Sequence, residues 1–107
     1  MKLKNTIEKI INYAAYVTEP QKIIIFGSMA IDTANVFSDL DLLIISDNSI
    51  NRKEACVRIK SYASQFCLKT DVLIYSEQEL ENAHKSPNSF LEAVYKSGKI
   101  VFKKEEK

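Results

Sequence analysis

Residues 22–46, KIIIFGSMAIDTANVFSDLDLLIIS, contain two short apolar runs, Ile23 to Phe26 and Leu40 to Ile45, each with polar residues at one end. Runs of this length, rich in Ile and Leu, predict buried strands. Directly after the first come Gly27 and Ser28. A glycine lets the backbone turn sharply there, and the next residues can open a helix whose first N–H groups face outward without partners, which makes a seat for phosphate. Residues 29–38 then lead to Asp39 and Asp41, which flank Leu40. Strand alternation puts both carboxylates on one face, their Cα atoms about 6 to 7 Å apart at roughly 3.3 Å rise per residue. Both side chains can then converge on one hard cation.

Upstream, apolar residues at Leu3, Ile7, Ile10, Ile11, Ala14 and Val17 have the three-and-four spacing of a helix with one buried face, and Pro20 ends it. A strand over Lys22–Phe26 follows, then a short helix over about Ser28–Ala34, a turn through Asn35 and Ser38, and a second strand over Asp39–Ile45. After the polar loop at 46–49, Asn51 and Glu54 have the spacing of a capping box. The helix they open has a stripe of Ala55, Cys56, Ile59, Tyr62, Ala63 and Phe66, leaving Arg52, Lys53, Arg58 and Lys60 largely toward water. A third strand is expected over Lys69–Tyr75, with Asp71 just ahead of Val72, Leu73 and Ile74. Ser76 and Glu79 then cap another helix, and His84 near its end reads as a solvated cation rather than a catalytic base. Ser86 as cap and Pro87 in the first turn predict one more helix, with Phe90, Leu91, Val94 and Tyr95 inward. Gly98 stops it, and Ile100–Phe102 adds a short edge strand. The tyrosines, Tyr13, Tyr16, Tyr62, Tyr75 and Tyr95, read as core or boundary aromatics. This order predicts one α/β domain over residues 1–107, a small mixed β-sheet with helices packed on it.

Composition agrees with such a domain. Of 107 residues, 46% are hydrophobic and 27% charged, proportions far from those of a disordered chain. The net charge of +1, with Lys and Arg scattered, gives no electrostatic footprint for nucleic acid, so direct nucleic-acid binding is not expected. No apolar run approaches the length of a membrane span and there is no signal core, so the expected location is the cytoplasm. Cys56 and Cys67 are the two cysteines and read as reduced core thiols.

Asp39, Asp41 and Asp71 each open a strand or sit early in one, so a sheet that sets the second and third strands side by side would gather all three carboxylates at one edge. Like charges that close stay ionised only where cations share them, and hard oxygen donors suit Mg²⁺. Two such ions about 3.5 to 4 Å apart can hold the attacking and leaving oxygens of an in-line nucleotidyl displacement.

Gly27-Ser28, the spacer 29–38, Asp39-Leu40-Asp41 and a third aspartate opening a later strand together resemble the nucleotidyltransferase superfamily that includes polymerase beta-like enzymes. The chain is most similar to the minimal nucleotidyltransferases, often the antitoxins of HEPN/MNT toxin–antitoxin systems, and the likeness extends into the tail NSFLEAVYKSGKIVF. The resemblance implies the polymerase beta palm-like fold and an enzyme that moves AMP from ATP to a hydroxyl of a partner protein, a HEPN-domain ribonuclease toxin, in a homo- or hetero-oligomer. It also implies Mg²⁺, two ions with Mn²⁺ able to substitute, on Asp39 and Asp41. Asp71 would help bind the catalytic metal and deprotonate the acceptor, and Gly27 and Ser28 would grip the triphosphate. Relatives often carry arginine directly after Gly-Ser and glycine three residues later, where this chain has Met29 and Asp32, a change expected to weaken nucleotide affinity. Two rival readings are an antitoxin that acts by binding alone and a subunit of a small-molecule nucleotidyltransferase. The latter normally carries an additional helical domain for its acceptor.

Overall fold

The computed structural model describes residues 3–27, 39–47, 49–86 and 89–104. In chain order these form α1 (Leu3–Thr18), β1 (Lys22–Phe26), β2 (Leu40–Ile45), α2 (Arg52–Ser64), β3 (Thr70–Tyr75), α3 (Glu77–His84), α4 (Phe90–Ser97) and β4 (Lys99–Lys103). The helix and turn expected between the first two strands, and Pro87, lie outside the described residues. The four strands make one mixed sheet in the order β3-β2-β1-β4. β2 runs parallel to β3, while β1 is antiparallel to both β2 and β4. The expected α/β architecture is therefore the observed one.

Alternation along the strands divides the core into two layers. On one side α1 and α2 cover Ile23, Ile25, Leu40, Leu42, Ile44, Val72 and Ile74, all buried. On the other, Leu80 and Ala83 of α3 and Leu91 and Val94 of α4 pack on Ile24, Leu43 and Ile45. β2 lies between two neighbours and under helices on both faces, and every residue in it is buried except Asp41.

Several local details differ from the sequence reading. Of the box expected at Asn51, the structure shows the bond from the Glu54 N–H to Asn51 Oδ1, whereas Ser76 and Glu79 make both bonds of theirs. The N-cap of α4 is Ser89, not Ser86: Ser89 accepts the Glu92 N–H, while the Ser86 hydroxyl turns back onto the Asn82 carbonyl in the last turn of α3. A serine with Glu three residues on is the stronger start signal, and it moves the helix three residues along. That shift leaves Phe90 on the outer side, 66% exposed, while Leu91 and Val94 go inward. α2 stops at Ser64, so Phe66 belongs to the turn after it, and Cys67 there is exposed rather than a core thiol. Cys56 is half-buried, and burial pushes its thiol above the ordinary range. Tyr16 also lies outside the core, on the water side of α1. Arg52 is not merely solvated: it donates to Glu79 at 2.6 Å and to the Ile74 carbonyl at 3.3 Å, joining the start of α2 to the cap of α3.

Candidate functional site

Parallel strands begin at the same end of a sheet, and that fact assembles the site. β2 and β3 are joined by the crossover helix α2, and their register sets Leu40 against Thr70 and Asp41 against Asp71. Neighbouring strands stand about 4.8 Å apart, so the two carboxylates start from adjacent points on one face. The face is the one that α3 and α4 cover further along, through Leu43, Ile45 and Ile24. β1 arrives antiparallel, so its last residue, Phe26, pairs with Asp41 from the other side. Asp39 stands immediately before β2, which begins at Leu40, one residue later than expected, and is half-buried. Asp71 is exposed at the outer edge of the sheet.

The electrostatics follow from this packing. The Asp41 carboxyl is pushed above the ordinary carboxylate range, first by burial, then by the charges of Asp71 and Asp39, and last by a side-chain hydrogen bond with Asp71 in which the protonated Asp41 donates. All these causes act in one direction, and among the described residues nothing cationic offsets them. A carboxylate in the middle strand, flanked by two others, is unfavourable for folding. Perturbation of this kind marks functional positions.

Gly27 follows β1 with φ +76°, in the left-handed region that glycine adopts without strain. A Cβ there would collide with Asp41 Oδ2. The glycine therefore does two things, turning the chain and leaving room for the carboxylate opposite. The sequence pointed to the first; the second could have been found only from the antiparallel pairing that sets Phe26 against Asp41. Ser28, Met29 and Asp32 lie outside the described residues.

Three carboxylates on adjacent strand starts are hard oxygen donors, and their mutual repulsion favours a shared divalent cation, so the donor set fits Mg²⁺ or Mn²⁺ in chemistry. The side chains do not already close around one point: among the described residues, no group of three or more His, Cys, Asp or Glu is placed to hold a metal ion. His84 lies on α3, with Nδ1 3.7 Å from Glu92 Oε1 and its ring edge-on to Tyr95. Among the described residues no helix is long and apolar enough to cross a membrane.

With this geometry in hand, comparison with known proteins gives a consistent answer. The family described as polymerase beta, nucleotidyltransferase matches residues 8–107. No curated protein sequence is a match. Among solved structures, a toxin–antitoxin complex with AMP-PNP contains a chain that superposes with a TM-score of 0.64 at 18% identity, over 97% of this chain and 76% of that one. A nucleotidyltransferase-type protein from Sulfolobus solfataricus aligns with a TM-score of 0.53 at 20% identity, over 95% of this chain and 81% of its own. A complex of the tri-AMPylated HEPN toxin of Shewanella oneidensis with its MNT antitoxin gives 0.53 at 16% identity, over 94% and 69%. At these identities the likeness is one of fold.

Proposed function

The chain belongs to the polymerase beta nucleotidyltransferase family, and from that premise we propose that it transfers AMP from ATP to a hydroxyl of a partner protein, a HEPN-type toxin that it neutralises. The observation that carries this reading is the parallel register that sets Asp41 against Asp71 with Asp39 beside them. The antitoxin role is supported by similarity in fold to chains of toxin–antitoxin complexes, one with AMP-PNP and one with an AMPylated toxin.

Asp39, Asp41 and Asp71 would hold Mg²⁺. When bound, the ion neutralises charge that develops on the phosphoryl oxygens. Gly27 keeps the backbone clear of Asp41, and Ser28, next in sequence, would bind the triphosphate through its hydroxyl and N–H without acting as nucleophile. The acceptor oxygen forms its bond to the α-phosphorus as the bond to pyrophosphate breaks, and the acceptor proton passes to Asp71. Alignment of the two reactants is where much of the rate comes from, and a folded partner docked across the mouth would supply it.

The test is the intact mass of both proteins after incubation with ATP and Mg²⁺. We expect the partner to gain one or more AMP groups, and the chain alone to release little pyrophosphate. A partner that is bound and silenced with no change in mass, even with Mn²⁺, would instead establish an antitoxin that acts by binding. Rapid modification of a small alcohol without any partner would contradict both.

A further inference from the structure

Three carboxylates are a poor surface for a polyphosphate unless cations stand nearby, and among the described residues two lysines next to strand starts at this sheet end are candidates. One is Lys69, just before β3; the other is Lys99, the first residue of β4. Their surroundings separate them. From 68 to 72 burial alternates strictly, with Leu68, Thr70 and Val72 buried and Lys69 and Asp71 exposed. Leu68 and Val72 belong to the layer under α1 and α2. Lys69 therefore shares the opposite face with Asp71 and Asp41. Its backbone is tied to the site as well, since the Lys69 carbonyl accepts the Leu40 N–H at 2.9 Å, which sets it beside Asp39. Lys99 pairs with Ile25, whose side chain lies in the layer under α1 and α2, and sits two strands away from β2.

We propose that Lys69 is the cation that receives the polyphosphate of the nucleotide at this mouth. A lysine stem spans several ångströms, so an ammonium anchored one strand spacing from Asp39 can sweep the opening between the carboxylates and water. It acts as a point charge on phosphate oxygens lying outward of the α-phosphorus. As a substrate-binding residue it discriminates by phosphate number: its contribution grows from AMP to ATP. The sequence signal for it is the alternation Leu68-Lys69-Thr70-Asp71-Val72, legible only once Asp71 is known to face the site.

This inference rests on the nucleotidyl-transfer reading, and the experiment separates the two. Equilibrium binding of ATP, ADP and AMP is measured in Mg²⁺ for the wild type and for Lys69→Ala, Lys69→Arg and Lys99→Ala, with melting temperatures as a check on folding. Loss of one charge-assisted contact predicts ATP binding about tenfold weaker in Lys69→Ala, AMP binding changed by less than about twofold, near-complete recovery in Lys69→Arg, and no change in Lys99→Ala. Wild-type affinity for ATP in Lys69→Ala, or an equal loss in Lys99→Ala, overturns the assignment and leaves nucleotidyl transfer standing. A folded wild type that binds no nucleotide overturns both.

Discussion

At the end of β3 Glu79 stands 2.6 Å from Arg52 and accepts the Ser76 N–H, and its carboxyl is held down at about 2, chiefly by the Arg52 hydrogen bond. At the start of the same strand Asp71 faces Asp41, whose carboxyl is pushed the other way by burial and by two like charges. One end of the strand gives its charge a cation and a helix cap; the other packs charge against charge. The first arrangement stabilises the fold. The second opposes it at neutral pH, and a ligand that brings positive charge would relieve the opposition. A carboxylate kept in a middle strand under those conditions fits the proposed cation site.

The largest expected effect comes from Asp41→Asn, which removes charge but little volume. Transfer of AMP to the partner should fall by at least about a hundredfold, because the developing phosphoryl charge loses several kcal/mol of support. The same protein should melt at or above the wild-type temperature. Labelled-ATP transfer and thermal melts on one preparation check both halves, and full transfer in a correctly folded variant would contradict the site assignment.

Gly27→Ala should come next. A side chain at φ +76° costs about 1 to 2 kcal/mol, and the new methyl collides with Asp41 Oδ2, so the carboxylate must move. We expect a lower denaturation midpoint and weaker metal binding together. Unchanged metal affinity would mean that the glycine serves the turn alone.

Smaller again is Glu79→Gln, which removes one ion pair and weakens a cap. Both side chains of the pair are well exposed, 46% and 40%, so screening by water limits the loss to about 1 kcal/mol. The two regions should then part company as pH changes. The folded pKa of Glu79 is depressed, so its contribution is present above the unfolded value of 4.5 and is lost as pH falls toward about 2. The folded pKa of Asp41 is raised, so its penalty is absent below the unfolded value of 3.8 and grows as pH rises through the folded one. Denaturant midpoints against pH for the wild type and the two variants check this. The wild type and Glu79→Gln should converge in acid, and Asp41→Asn should gain on the wild type as pH rises from acid to neutral.

Much of this contrast could be read before the fold was known, though unevenly. Gly27 and the Asp39-Leu40-Asp41 step were visible because each sits where an apolar run meets polar residues, and Asp71 because it opens such a run. The bringing together of Asp41 and Asp71 was conditional, since a strand pattern states which face a residue takes and not which strand lies beside it. The Arg52–Glu79 pair was invisible for the same reason, spanning 27 positions and two layers. The start of α4 was a different failure: Ser89 and Glu92 were in plain view, but Ser86-Pro87 drew the cap three residues early and turned Phe90 inward. Cys67 follows α2 in a left-handed turn at φ 58°, and a helix that stops short of Phe66 was not readable from a stripe that continues through it.

The most direct test of the claim that the start of β3 is a cation-binding mouth is the melting temperature of the wild type and Asp41→Asn as Mg²⁺ or Mn²⁺ is added. A ligand that binds only the folded chain raises the midpoint by mass action. The account predicts a rise for the wild type at metal concentrations that leave Asp41→Asn unmoved. Equal rises in the two proteins, or no rise in the wild type, would contradict it.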